Sequence, residues 1–472
     1  ALIGPGVADT AMLGGGSATL VPHRTTNVLD AMTERLGDRL VGHAPGLDMR
    51  RKAAAVPPEW IGDEGVRFEL FDGIGFEGEL FDTEIRPATF NVWFGDNWPE
   101  GREAMSVRMT FTMTPETSGR HRFCALGFAH AQLFVDDELV ADNAVNRFSA
   151  GLGQHGGDGY RDLVAGRSYR IRLDHVPRDY GQWVCTVDVG VELAHTARED
   201  GLIEAEQLAA RADVAVVVVG SNSEWESEGS DRDSIELPNG QDELVARVVA
   251  ANPGTVVVLN CGAPMTLPWL DTVPATVLAW YPGQEAGEAI ADVLLGDAEP
   301  GGRMPTTWAR DERDTPAYLN YPGEAGVVRY GEGVFVGYRW YDARAIEPMI
   351  PFGHGGSYTT FDWGEPVVSG VGCDLTVEVP VTNTGGRPGS EVVQVYTSPV
   401  DHAVPRPPKE LAGFAKLTLE PGGTGVARVT LTDRSFARWD PGTHGWVVDP
   451  GEWRIVVAAS AIDIRATVDI VV

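Results

Sequence analysis

Residues 214–219 are apolar without a break, and the run includes Val216, Val217, Val218 and Val219. A half-exposed strand alternates and an amphipathic helix shows a stripe; an unbroken run of this length suits a strand covered on both faces, in a parallel sheet. The surroundings fit that reading. Helical spacing over 241–251 is followed by apolar strands at 255–260 and 275–280. A helix over 285–295 then closes with Gly296 just past its end. Residues 1–60 have the same texture: a short opening strand, the run Gly14-Gly15-Gly16, helical spacing over 27–36 and a strand at 40–44. Strands alternating with helices predict a mainly parallel sheet with helices on both faces. A site is expected at the carboxyl ends of its strands.

Two stretches break this texture. From about 65 to 192, short alternating segments (107–113, 121–126, 131–135, 169–173) are separated by turn residues such as Asp136-Asp137 and Ala165-Gly166. Alternation returns after Pro351, at 375–381, 391–396, 425–431 and 453–458. Both stretches predict β-sandwiches. A length of 472 residues calls for two to four domains. The predicted fold is therefore multidomain α/β plus all-β: an α/β sandwich (1–62 and 193–345) interrupted by an inserted β-sandwich (63–192), then an immunoglobulin-like β-sandwich (346–472).

Composition excludes several partners. The 37 basic and 68 acidic residues give a formal charge of -31, which argues against nucleic acid and anionic membranes. The acids are mostly dispersed, as on a solvated surface, and no metal site is expected. Four cysteines (Cys124, Cys185, Cys261, Cys373) form no CxxC and no Cys/His cluster, which excludes a disulfide scaffold and a zinc finger. Cys124 and Cys185 are expected as buried thiols, with a bridge between them as the alternative. Scarce cysteine points to the cytoplasm, with secretion left open. No apolar run approaches the length of a membrane span. The chain opens on Ala1-Leu2-Ile3-Gly4-Pro5, the end of a strand, as a piece of a longer protein would.

One segment is dense in titratable groups. Directly after the 214–219 run come Glu224, Glu226, Glu228, Asp231 and Asp233 with a single Arg232, between the pivots Gly220 and Gly229. A loop at a strand's carboxyl end can hold a carboxylate in a cleft, with Arg232 pairing an acid to fix its shape. A merely solvated acidic loop is the competing reading from composition. The Gly14–Gly16 run is followed by neither GxxxxGK[ST] nor a helix opened by GxGxxG, so a tight backbone loop replaces a phosphate site.

The run Glu226-Ser227-Glu228-Gly229-Ser230-Asp231-Arg232, followed by Leu237, Pro238 and Gln241, resembles the acid/base loop of family 3 glycoside hydrolases. The opening Ala1–Pro5 with Gly14-Gly15-Gly16 resembles the start of that family's α/β sandwich domain, the run Trp280-Tyr281-Pro282-Gly283-Gln284-Glu285 and the segment 296–307 resemble its later signatures, and 330–339 and 351–358 resemble its passage into the terminal domain. Glu410-Leu411-Ala412-Gly413-Phe414 resembles the family's fibronectin type III-like domain. Phe134-Val135-Asp136-Asp137-Glu138-Leu139 resembles the protective-antigen-like domain inserted in some of its β-glucosidases.

The resemblance implies retaining hydrolysis of a terminal β-glycosidic bond, without a cofactor, by an aspartate nucleophile and a glutamic acid/base. Glu228 matches the acid/base; Glu226 and Glu224 rank behind it, and Asp231 and Arg232 support the loop. A raised pKa is expected of the acid. Phe148 is the candidate contact to the leaving group, against a purely structural aromatic. The nucleophile of such enzymes lies on an N-terminal (β/α)8 barrel, in a Ser-Asp-Trp motif that this sequence lacks; its Asp362-Trp363 falls in the terminal sandwich. The expected partners are thus a β-glycoside and that barrel, with a homo-oligomer as a further expectation. The chain alone should be inactive. β-Xyloside or natural-product glycoside substrates, and a non-catalytic carbohydrate-binding chain, are the alternatives.

Overall fold

The computed structural model describes residues 1–145, 147–151, 154–193, 198–229, 231–232, 234–401 and 404–472. It divides into two compact units, 1–263 with 269–288, and 264–268 with 289–472.

The first unit contains a five-stranded sheet in the order Ala275–Leu278, Thr255–Asn260, Ala215–Gly220, Leu2–Ile3, His43–Ala44. Every pairing is parallel. Ala215–Gly220 lies at its centre and every residue is buried, as the apolar run requires. Two neighbours come from the beginning of the chain, so this sheet is assembled from segments on either side of the all-β stretch. Helices Val28–Leu36, Arg198–Ala209 and Gln241–Ala251 accompany it. Asn27 starts the first of these by accepting from the Asp30 amide at 2.7 Å, an N-cap contact worth roughly 1 kcal/mol.

Two strands are shorter than the pattern predicts. Residues 37–39 form a 3-10 turn capped by Leu40, leaving only His43–Ala44 extended. The last strand stops at Leu278, and Trp280 has φ +55, a conformation no strand continues through.

Residues 66–193 form two antiparallel sheets. One orders Leu80–Arg86, Val66–Asp72, Met105–Met113, Tyr169–Val176, His130–Val135 and Glu138–Asp142. The other orders Arg147–Gly151, Gln154–Leu163, Gly119–Gly127, Val184–Leu193 and Asn91–Phe94. Their inward positions share one core, in which Phe68, Met105, Met109, Met113, Phe123 and Tyr169 are all but inaccessible. Each such side chain stabilises by about 1.5–3 kcal/mol. Asp136 and Asp137, at φ +52 and +66, make the tight turn between His130–Val135 and Glu138–Asp142, as their pairing predicts. Cys124 and Cys185 are free and buried.

In the second unit, strands Phe361–Trp363, Val367–Val371, Asp374–Asn383 and Thr424–Leu431 form one antiparallel sheet. Glu410–Leu419, Gly389–Pro399, Glu452–Ala458 and Ile464–Val471 form another. A common core of Val377, Val379, Val393, Val395, Phe436 and Trp453 joins them. Asp362-Trp363 is part of this framework, with Trp363 packed on the core. Helix Ala286–Leu295 ends on Gly296 at φ +79. The fold is thus a multidomain α/β architecture with β-sandwiches. Among the described residues, no helix is long and apolar enough to cross a membrane.

Candidate active-site loop

The acidic loop leaves the sheet at Gly220. This residue has φ +152, and a Cβ there would overlap the Asn260 carbonyl of the neighbouring strand, so only glycine fits. The Gly220 peptide is clamped by Gln241, whose buried side chain accepts from the Gly220 amide at 2.9 Å and donates to its carbonyl at 2.8 Å. Gln241 also donates to Pro238 O at 3.0 Å, which fixes both ends of the loop to the helix start. Asn260, at the adjacent strand end, exchanges two hydrogen bonds with Ala11 (2.7 and 2.9 Å) and donates to Trp280 O at 2.6 Å. Three crossings of the strand edges are thereby held in register.

Within the loop, the Trp225 and Glu226 amides donate to Asn222 O (3.0 and 2.9 Å), and the Glu224 amide donates to the Asn222 side chain (3.0 Å). The carboxylates that follow have different surroundings. Glu224 accepts from the Arg51 and Lys52 amides at 2.7 and 3.1 Å, so it ties residues 51–52 to the loop. Glu226 accepts from the Ser221 hydroxyl and from the Gly262 amide (3.1 Å); Ser221 lies 3.0 Å from the Tyr281 hydroxyl. Burial first, and the Glu226 charge second, push the Cys261 thiol up to about 12 and raise the Tyr281 phenol as well.

Glu228 is exposed. Its carboxylate accepts from the Ser17 amide at 2.8 Å. Hydrogen bonding from Ser17, by side chain and backbone, holds its pKa below the usual carboxylate value. The direction is opposite to the raised pKa expected of a general acid, because the Ser17 hydrogen bonds outweigh the small desolvation of this exposed carboxyl.

The glycine run explains how the loop is placed. Gly15 bridges Ser227 in parallel fashion, and its amide donates to Glu226 O at 2.8 Å. Gly16 stands at φ +83, where a Cβ would overlap that of Glu228. The run is thus a close-packed backbone loop beneath the acidic segment. Asp231 is exposed and Arg232 half-buried near Cys261. Asp233 lies outside the described residues.

Beside the loop lies a cleft of about 540 Å³, lined by Arg51, Arg122, Phe148, Asp158, Tyr160 and Trp225 among others. Trp225 donates to Met49 O at 2.7 Å and carries the Arg51 guanidinium 4.7 Å above its ring. Arg122 bonds Asp158 at 2.8 Å and Arg51 O at 2.6 Å. The Cys124 thiol donates to the other Asp158 oxygen at 2.7 Å. Phe148 lies on the edge strand Arg147–Gly151, half-buried against Cys124 and Leu126, and lines the cleft. Ser17, Asn260 and the Gln241 clamp were missed in the sequence, since single polar residues carry no periodic signal; Tyr281 was noted there only as part of the motif Trp280–Glu285, without its contact to Ser221. Among the described residues, no group of three or more His, Cys, Asp or Glu could hold a metal ion.

The architecture and this loop define an α/β chain with β-sandwiches that presents carboxylates at the carboxyl edge of a parallel sheet. Residues 1–338 match the glycosyl hydrolase family 3 C-terminal domain, and 391–461 match a fibronectin type III-like domain. The chain belongs to glycosyl hydrolase family 3. It is 40% identical over 489 residues to a β-glucosidase of Rhizobium radiobacter, covering 100% of this chain and 58% of that protein. The crystal structure of the Kluyveromyces marxianus β-glucosidase in complex with glucose superposes with a TM-score of 0.80 at 31% identity, covering 100% of this chain and 58% of the other. A β-glucosidase from Streptomyces venezuelae in complex with D-glucose gives 0.70 at 26%, covering 100% and 56%. The chain thus spans little more than half the length of these relatives.

Proposed function

We propose that this chain is the C-terminal part of a retaining β-glucosidase, supplying the acid/base Glu228 to a (β/α)8 barrel that carries the aspartate nucleophile. The observation that carries the assignment is the contrast among the three glutamates. Glu224 and Glu226 are half-buried and accept from the Arg51 and Lys52 amides and from the Ser221 hydroxyl and Gly262 amide, whereas Glu228 accepts from Ser17 and is exposed. A group that must give and take a proton needs that freedom of approach. Its depressed pKa is that of the isolated half. Docking of a barrel would remove water and bring the nucleophile's negative charge close, and both effects raise a carboxyl pKa. Glu228 would then protonate the leaving oxygen and later accept a proton from the attacking water.

The names of the relatives support β-glucoside as the substrate; β-xyloside or a natural-product glycoside is the runner-up. Residues 63–192 are read as the protective-antigen-like insert and 346–472 as the fibronectin type III-like domain. The cleft with Phe148 would receive the leaving group. Its aromatic lining also favours the alternative of a binding chain without catalysis. To separate the two, Glu228→Ala is measured in the barrel-joined enzyme on alkyl and activated aryl β-glucosides. Loss is expected to be far greater for the poor leaving group, because an activated one departs without protonation; equal loss on both removes Glu228 from the acid role.

A further inference from the structure

Residues 48–55 run between two parts of the first unit that are far apart in sequence. One end grips the acidic loop and the helix start that follows it: Met49 O accepts from the Trp225 indole at 2.7 Å, and the Asn239 side chain donates to Asp48 O at 2.9 Å. The other end lies along the β-sandwich of residues 66–193. The Ala53 amide donates to Cys124 Sγ at 3.0 Å, the Val191 amide donates to Ala54 O at 2.8 Å, and Ala55 bridges Gly190. A Cβ at Gly190 would overlap the Ala53 carbonyl, so the two backbones touch directly.

The two grips meet at one peptide unit. The Arg51 carbonyl accepts from Arg122 at 2.6 Å, and the N–H of the same peptide, that of Lys52, donates to Glu224 at 3.1 Å. Oxygen and hydrogen point to opposite sides of a trans peptide, so Arg122 and Glu224 hold it from opposite sides. The preceding amide, that of Arg51, gives Glu224 its second bond at 2.7 Å. Arg122 is itself held by Asp158 at 2.8 Å and by Glu192 at 3.4 Å, and its side chain is only 15% exposed. Charge-assisted bonds in so enclosed a place fix one geometry, and hydrogen bonds in series polarise one another.

We propose that Arg122 is a positioning residue for the acid/base loop: it fixes the 51–52 peptide to which Glu224 is tied, and through it the loop that carries Glu228. The inference rests on the reading given under Proposed function. Gln241 anchors the loop at Gly220, and Ser221 with Gly262 anchors it at Glu226; Glu224 is the anchor that faces the sandwich. The sandwich thereby acts on proton transfer without touching the reacting atoms. Arg122 also lines the cleft, so direct contact with a bound molecule is the competing role.

The test uses Arg122→Met with Asp158→Asn, which removes one charge of each sign and leaves the Arg50–Glu192 pair in place. Arg108→Met with Asp174→Asn, an ion pair on the other sheet of the same sandwich, controls for general loosening. In this chain alone, hydrogen exchange of the Arg51, Lys52 and Glu226 amides should quicken about tenfold in the first variant and not in the control. Unchanged exchange overturns the proposal. In a fusion carrying the N-terminal part of the Rhizobium radiobacter β-glucosidase ahead of Ala1, kcat/KM is compared for phenyl and dinitrophenyl β-glucosides. The phenyl leaving group needs a proton and the dinitrophenyl one does not. The first variant should lose about tenfold on the phenyl glucoside and little on the other. Added to Glu224→Ala it should cost little more, because both act through one peptide. Equal loss on the two glucosides, or losses that multiply with Glu224→Ala, place Arg122 outside proton transfer and overturn the proposal. A fusion without hydrolysis, or one in which Glu228→Ala harms both glucosides equally, counts against the proposed function, while the exchange in this chain still decides whether Arg122 holds the loop. Arg122→Lys, which keeps the charge but not the fork, carries the same comparisons if the double variant does not fold.

Discussion

Glu228, Glu226 and Glu224 have the same chemistry within five residues of each other, and their surroundings alone distinguish them. Because Ser17 hydrogen-bonds the charged form, Glu228 in this chain should titrate below the ordinary 4.5, as read by carboxyl carbon NMR. The sign follows directly: a depressed folded pKa contributes stability above the unfolded value and loses it as pH falls through the folded one. Full exposure makes that contribution small. Once joined to the barrel the same carboxyl should titrate above 4.5; an unchanged midpoint would argue against desolvation by the barrel. Gln241 makes a different test. Replacing it with leucine leaves the Gly220 amide and carbonyl unpaired in a buried place, a loss of about 2 kcal/mol measurable by urea unfolding. The motif around Glu228 was legible because its spacing is distinctive. Ser17 was not, because it reaches the loop from 211 residues away in sequence and is an ordinary residue where it stands; Tyr281 stood in a recognisable motif, but its contact with Ser221, 60 residues away, left no trace there.

At the scale of elements, the Gly14–Gly16 loop and the acidic loop are one device, a flat backbone surface on which the second segment rests. Gly16→Ala adds a Cβ where Glu228 stands and forces a positive φ on alanine. It should cost about 1–3 kcal/mol in stability and displace Glu228, lowering kcat in the assembled enzyme with little change in KM. Wild-type kcat in this variant would mean that the contact does not position the carboxylate. The elements themselves were largely written in the hydrophobic period. Helix Gln241–Ala251 and strand Thr255–Asn260 begin and end where the pattern predicts, because the apolar spacing changes sharply between them. The pattern fails where tertiary geometry overrides it. At 40–44 a preceding 3-10 turn shortens the strand, and at Trp280 the backbone turns to meet Asn260. The rotational preference of a single residue leaves no trace in a window of ten.

The whole chain matches its family over 1–338 and spans 58% of the length of a β-glucosidase relative. On the proposed reading the loop of carboxylates at the sheet's edge supplies an acid/base, and the family's Ser-Asp-Trp motif does not occur in this sequence. On that reading the sugar contacts and the nucleophile are contributed by the proposed barrel, so the sugar was not legible in this sequence. The division of labour is therefore the central claim, and hydrolysis of an aryl β-glucoside tests it most directly. The purified chain should release no aglycone above background, and the barrel-joined chain should hydrolyse the glucoside. Turnover by the chain alone, surviving repurification and lost on substitution of one of its own acids, would contradict it.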